Sequence, residues 1–434
     1  MKISKALTAA LMLLFAASGN AKEYDLSIEQ MFKMADKNNL RLKVASANAD
    51  GANAEIKAAK TAYLPSLDLR LSASYNGDGT ITDRDFSDAF SAPIPHFGNN
   101  FGLEFSQPLY AGGAISGSVR MSEAKAELAQ NQNDNEKQNI RFALIGDYME
   151  LCKLENQLQI FESHIKQTEK ILENMRSRHK EGVALANDIT RYELQLQNLN
   201  FSKIEIENAK KIISNHLASA LGLEKDASFV LHTDFLENEN SKTDQQWQQS
   251  AQGGSAVLKM ADSVIKINES AKKLANSERL PAVFIFAADY LDGPITIDIP
   301  AQDKNFNYWT AGVMLKYSLG NLYKTDKKVK ASELAVSKAL AEKENIKENL
   351  RLSVQDAYIK YQESFELLKT KQKSVELARK NYNVVSYRYQ NGLVLITDLL
   401  DASAQKLDAE LQAVNAGINI TRNYYKLKYL SGIL

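Results

Sequence analysis

Asn135-Glu136-Lys137-Gln138-Asn139-Ile140-Arg141 returns as Asn345-Ile346-Lys347-Glu348-Asn349-Leu350-Arg351, identical at four of seven positions after a shift of 210 residues. The same ungapped shift pairs Tyr148 with Tyr358, Arg178 with Arg388, Gly182 with Gly392, Leu185 with Leu395, Asp188 with Asp398, and Gly222 with Gly432. A constant offset held over such a length marks a tandem structural repeat. Upstream, Leu64-Pro65 matches Leu280-Pro281 at a shift of 216, and the difference falls in loops between the matched stretches.

Proline placement divides each repeat. All seven prolines fall in two windows: Pro65, Pro93, Pro95 and Pro108, then Pro281, Pro294 and Pro300. Outside them helix is unobstructed. Residues 321–391 contain neither Gly nor Pro, and as one α-helix they would run on the order of 100 Å at ~1.5 Å per residue. From Leu144 a heptad stripe continues through Leu151, Leu158, Ile165 and Leu172, with Leu154, Phe161 and Met175 on the companion seam. That is the pattern of a left-handed coiled coil, and the stripe is read as core packing.

Inside the windows the period changes to two. Leu67, Leu69, Leu71, Ala73 and Tyr75 alternate with Asp68, Arg70, Ser72 and Ser74. Phe101, Leu103, Phe105 and Leu109 alternate with Gly102, Glu104 and Ser106, and Trp309, Ala311, Val313, Leu315, Tyr317 and Leu319 form another such face. These are two-faced strands. Residues 282–290 are apolar on both faces and carry Asp289, which leaves that strand's orientation open. Each window therefore predicts a hairpin with a polar loop. The loops carry the similar strings Asp78-Gly79-Thr80-Ile81-Thr82 and Asp292-Gly293-Pro294-Ile295-Thr296.

The expected layout is a signal peptide over residues 1–21, a first repeat over 22–223, a joining segment over 224–255 and a second repeat over 256–434. Strands are expected near 65–76, 100–110, 281–291 and 306–319, long helices near 113–180 and 321–390, and returning helices near 187–222 and 397–432. Lys2 and Lys5 before the apolar run 6–17, with Gly19-Asn20-Ala21 after it, have the order of a cleaved secretory signal. The 434 residues carry 53 basic and 53 acidic side chains, and this balance offers no electrostatic case for nucleic acid. A mean hydropathy of -0.35 excludes a polytopic helical membrane protein. A membrane β-barrel survives that test, because its strands hide within average composition.

Four strands of about 10 residues cross a bilayer when tilted. Hydrocarbon does not tolerate open sheet edges, so other subunits must complete the sheet. Three copies give twelve strands, and the pattern alone leaves three or four open. A membrane pore continuous with a long helical tube is a conduit.

Four motifs then carry a resemblance: Asp25-Leu26-Ser27-Ile28-Glu29-Gln30, Tyr63-Leu64-Pro65-Ser66-Leu67, Gln107-Pro108-Leu109-Tyr110-Ala111-Gly112-Gly113, and Gly392-Leu393-Val394-Leu395-Ile396-Thr397-Asp398-Leu399-Leu400-Asp401-Ala402. In this order they resemble the TolC family of outer-membrane efflux proteins over essentially the whole mature chain. The resemblance implies a mostly α fold with membrane β-hairpins, assembled as a homotrimeric twelve-stranded β-barrel continuous with a periplasmic α-helical barrel. It also implies contact with outer-membrane lipid, a periplasmic adaptor protein and an inner-membrane transporter.

Candidate functional residues cluster at the helix turns. Asp398 and Asp401, three apart, share one helix face. By themselves they read as partners of the helix dipole, and the resemblance makes them the two carboxylate rings of the aperture. Asp188 and Tyr389 match positions with which the family ties neighbouring helices shut. The basic partner in that lock falls on Val394 here, which leaves a Tyr389 hydroxyl to Asp188 hydrogen bond as the weaker gate. Gly182, Leu185, Gly392 and Leu395 map to the tips where adaptors dock, and each also reads as simple turn and cap packing.

Enzyme readings find little support. His96, His164, His179, His216 and His232 show no paired ligand spacing and are read as solvated or interfacial, with no metal and no cofactor expected. Gly112-Gly113-Ala114-Ile115-Ser116-Gly117 lacks the ending of a phosphate loop. Cys152, the single cysteine, is expected to be an inert packed thiol. The expected function is the exit duct of a tripartite efflux pump. Its alternatives are the exit duct of a one-step, type I protein secretion system and a soluble periplasmic coiled-coil scaffold or adaptor.

Overall fold

Ser27 and Gln30 close a capping box at the start of α1 (Ile28–Asn38): the Ser27 hydroxyl accepts from the Gln30 N–H, and the Ser27 N–H donates back to the Gln30 side chain at 3.0 Å. Thr243 and Gln246 repeat the device at the start of α5 (Asp244–Gly254), 216 residues later. The first helix of the second repeat thus lies inside the stretch read from sequence as a joining segment. That stretch is rich in polar residues, and only the cap marks the helix.

The structure is a computed structural model, and it describes residues 23–225, 227–231 and 242–434. The signal segment over 1–21 and His232 lie outside them. Between β1 (Glu23–Leu26) and the C-terminus the remaining elements are α2 (Leu40–Lys60), β2 (Ser66–Tyr75), β3 (Gly79–Ile81), β4 (Phe90–Ala92), β5 (Phe97–Ala111), α3 (Ala114–Lys180), α4 (Ala186–Leu221), β6 (Ser228–Leu231), α6 (Ala256–Ser277), β7 (Ala282–Gly293), β8 (Phe306–Lys316), α7 (Asn321–Gln390) and α8 (Ile396–Leu430). Helices α3 and α7 have 67 and 70 residues. Among the described residues no helix is long and apolar enough to cross a membrane.

Two compact units cut across the repeats. One is formed by Ala47–Asn131 with Lys259–Asn345 and holds an antiparallel sheet in the order β2-β5-β7-β8. The two hairpins join through β5 and β7, from Asn99 opposite Gly293 to Ala111 opposite Ala282. This pairing is why both repeats contribute to one unit. Register puts Leu69, Leu103, Asp289 and Trp309 in one cross-strand row. It resolves the ambiguous strand: Ile285, Ala287 and Asp289 share the apolar face, and the Asn307 side-chain amide donates to the Asp289 carboxylate at 3.0 Å. The other face carries Asp68, Arg70 and Glu104, with Arg70 3.4 Å from Glu104. Trp309, Val313 and Leu315 are 76%, 69% and 66% exposed in the single chain, so none of the described residues covers this apolar face.

The alternation read through Leu109 breaks. A bulge between Pro108 and Tyr110 leaves Leu109 without a pairing partner. Pro108 has no N–H for the ladder, and bulges accommodate such residues. Tyr317 and Leu319, read as continuing the last strand, lie past the end of β8. In the first loop β3 and β4 form a small antiparallel pair, and Ile295 bridges Gln302 in the second. The two similar loop strings therefore each lead into a short antiparallel return.

The other unit takes residues up to Ser46 with Gln132–Leu258 and Ile346–Leu434. Leu144, Leu151, Leu154, Phe161, Ile165, Leu172 and Met175 are buried in it, and Leu158 of the same stripe is half-buried against them. At one end of the stripe the Tyr148 hydroxyl donates to Leu26 O at 2.8 Å. Leu26 belongs to β1, which pairs in parallel with β6. Four-residue strands are too short for a period, and sequence reading missed both. Cys152 is wholly buried in this core, and burial pushes its thiol up to about 12, which keeps it protonated.

Each long helix and each returning helix ends in the same way. Val183 N donates to Arg178 O and Gly182 N to His179 O, and Leu393 N to Arg388 O and Gly392 N to Tyr389 O. Leu223 with Gly222, and Ile433 with Gly432, repeat the pattern. These are four Schellman caps, with the glycines at φ of 76°, 72°, 68° and 66° respectively. The repeat is thus visible in backbone hydrogen bonds. A Cβ at Gly182 would meet nothing within 4 Å, whereas one at Gly432 would collide with the Gly254 carbonyl. Gly182→Ala should therefore cost only the ~1–2 kcal/mol of left-handed strain. Gly432→Ala should cost more, and equal thermal unfolding midpoints for the two variants would contradict this packing.

Candidate functional site

The site builds from the two turns that follow those caps. Leu185 and Leu395 precede α4 and α8 in extended conformation, and each accepts at its carbonyl from the N–H of the acid three residues on, Asp188 or Asp398. Asp398 reaches back so that its Oδ2 accepts from Leu395 N at 3.0 Å. Leucine has no side-chain acceptor, so this is half of a capping box. Both acids sit in the first turn of their helices, where the dipole favours negative charge. Asp401 lies on the same helix, exposed, and has no hydrogen-bond or ion-pair partner among the described residues.

Leu185 and Leu395 are 70% and 72% exposed, and Val183 and Leu393 beside them are 65% exposed each. Sequence reading singled out one apolar residue per turn, and the structure shows two. Behind the turns Leu172, Met175, Tyr192, Tyr382, Ile396 and Leu399 form one buried cluster that holds the ends of α3 and α7 to the starts of α4 and α8. Burial, and to a lesser extent the neighbouring phenols, raises the Tyr192 hydroxyl far above the usual tyrosine range.

Tyr389 is half-buried on this cluster. Burial first, and then the Asp188 carboxylate, raises its phenol above the ordinary value, while Arg178 opposes them. Asp188 and Tyr389 are thus brought close enough to interact, but no hydrogen bond joins them among the described residues. The direct tie between α3 and α7 is instead Arg178, whose Nη1 donates to Gln390 O at 3.1 Å. Sequence reading used Arg178 only as a marker of the repeat. Its pairing with Arg388, next to Tyr389, was the available signal.

Of the two environments expected for the histidines, solvated or interfacial, His164 takes the second: it is 2% exposed between α3 and α8, and its Nε2 lies 2.8 Å from Glu410 Oε2. Arg379 Nε donates to the other oxygen of Glu410 at 2.8 Å. His164 follows Phe161 by one helical turn, so it shares the buried face of α3. Burial alone would raise the Glu410 carboxyl. The hydrogen bonds from His164 and Arg379 outweigh it and hold the group down at about 2.

The family model described as outer membrane efflux protein matches residues 31–223 and 245–432, a stretch in each repeat. The chain belongs to this family. TolC of Vibrio cholerae serotype O1 is 22% identical over 416 residues, covering 94% of this chain and 91% of that protein. The proteases secretion protein PrtF of Dickeya chrysanthemi is 28% identical over 126 residues, 29% of this chain and 25% of its own. Among solved structures, CusC superposes with a TM-score of 0.80 at 14% identity, covering 96% of both chains. VceC of Vibrio cholerae gives 0.77 at 16% identity, covering 93% of this chain and 96% of its own. As an outer membrane efflux protein the chain resides in the outer membrane, in a family of trimeric channels that work with pump partners and are not enzymes.

Glu410 supplies a test of the helical unit. Its folded pKa of about 2 lies below the ordinary 4.5, so its stabilisation is complete above pH ~4.5 and is lost as pH falls from there towards 2. Glu410→Gln should lower stability at pH 7 by about 1–3 kcal/mol, because it leaves buried His164 with a weaker partner. Thermal melts of both proteins from pH 7 to pH 3 should converge, and a constant gap would assign the loss to packing.

Proposed function

We propose that this outer membrane efflux protein is the exit duct of a tripartite pump, passing small molecules passively from a periplasmic pump to the exterior. The observation that carries the reading is the sheet order β2-β5-β7-β8. It leaves one strand edge of each repeat open at the side of a sheet whose apolar face is uncovered, and further copies of the chain in a membrane satisfy both. A soluble scaffold has no use for that face.

Gating belongs to the turns. Gly182, Leu185, Gly392 and Leu395, with Val183 and Leu393, form the surface offered to a periplasmic adaptor. An inner-membrane transporter completes the assembly. Asp398 and Asp401, repeated by threefold symmetry, give two rings of carboxylates that favour cations at the aperture. Capping by Asp398 is compatible with this role, because the Leu395 N–H uses one of its two oxygens. In the resting state Arg178 holds α3 against α7, Asp188 of α4 stands beside Tyr389 of α7, and Val394 supplies no charge to that contact. The partial similarity to PrtF favours, as a second reading, a duct that serves protein secretion.

Single-channel conductance of the purified protein in planar bilayers tests the main reading. The wild type should show a small cation-selective conductance, and Asp398→Ala with Asp401→Ala should reduce that selectivity. Selectivity indifferent to the double change would return both residues to helix capping, and the absence of any conductance would remove the duct.

A further inference from the structure

A cavity of about 260 Å³ lies between the ends of α3 and α7 and the first turns of α8, lined in part by Met175, Leu399, Tyr382, Tyr389, Lys170 and Arg178. We propose that it is a binding site for a compact aromatic carboxylate. Its lining includes two full cations and no carboxylate. Lys170 is exposed and has no hydrogen-bond or ion-pair partner among the described residues, and the hydrogen bond from Arg178 goes to a main-chain carbonyl, which leaves most of its donor fork free. Behind this lining Lys406 Nζ lies 4.8 Å from the Tyr382 ring centroid and donates to the Gln167 side chain at 2.9 Å. Its charge is opposed by the Glu410 carboxylate, so Lys170 and Arg178 are the cations that face the cavity.

The rest of the lining mixes the two tyrosines, a thioether and aliphatic side chains with the neutral polar side chains of Gln167, Asn174, Ser386 and Gln390, a combination that suits a planar ring carrying a charged group better than a hydrated inorganic anion. The volume falls just below the ~300–1,000 Å³ of sites for drug-sized ligands, so the occupant has one or two rings. Its carboxylate meets Lys170 and Arg178, which both belong to α3, and its ring meets Tyr382 and Tyr389 of α7. An occupied site therefore reinforces the tie that Arg178 already makes to Gln390. The link to a slower opening rests on the proposed gate, but binding itself does not.

The test uses 2-naphthoate, with its neutral analogue 2-naphthylmethanol as the control for partition into detergent. Ligand-observed NMR with the full-length protein in detergent should show saturable binding of naphthoate. Lys170→Gln with Arg178→Gln should weaken it roughly tenfold or more, as loss of two charge-assisted contacts implies. The single exposed change Lys170→Gln should weaken it in the same direction if the double variant folds poorly. Naphthoate binding unchanged by these substitutions, or matched by the alcohol, overturns the site. Because this readout needs no conductance, failure of the duct reading and failure of the site are separable.

Discussion

The open edges of the four-stranded sheet constrain everything else in this protein. β2 and β8 have 10 and 11 residues, and their outward-facing backbone groups need partners once the sheet is in hydrocarbon, where each unsatisfied group costs several kcal/mol. Because β5 and β7 pair in the middle, one edge comes from the first repeat and the other from the second. The β2 edge of one copy can therefore be satisfied by the β8 edge of the next, a head-to-tail contact that must close into a ring. Duplication of one unit thus supplies both halves of a heterologous interface within a single chain.

The helices answer to a different constraint. A 70-residue helix has four orphan carbonyls at its end, like any other. Each of the four Schellman caps satisfies two of its helix's carbonyls with the same two hydrogen bonds, repeated at a shift of 210 residues. Once the caps are fixed, the residues that follow are fixed too: an extended leucine, then a first-turn acid. Asp188 and Asp398 therefore occupy equivalent places, while their surroundings differ. Asp188 faces Tyr389, and Asp398 folds back on its own turn.

Between the turns and the β1–β6 pair the heptad core is interrupted by buried His164 and Glu410, to which the exposed Arg379 donates from the rim. A buried ion pair is weak evidence for added stability, because desolvation offsets the attraction. Its effect here is on pairing: the Glu410 carboxylate is satisfied only when α3, α7 and α8 are in one register. A one-turn slip would leave a buried carboxylate without its two donors, which the apolar seams alone would not penalise as strongly.

The repeat, the long helices, the two-faced strands and the turn glycines were legible in the sequence because each rests on local spacing: a constant offset, a period of seven, a period of two, a residue free to take positive φ. The turn acids were legible for the same reason. What tertiary structure decided were relations between distant residues: the orientation of the strand carrying Asp289, set by its ladder to β5, the bulge at Leu109, the burial of His164 against Glu410, 246 residues away, and the hold of Arg178 on Gln390. Periodicity says which face of an element is apolar. It does not say what stands opposite that face, and the chemistry of the turns depends on what stands opposite.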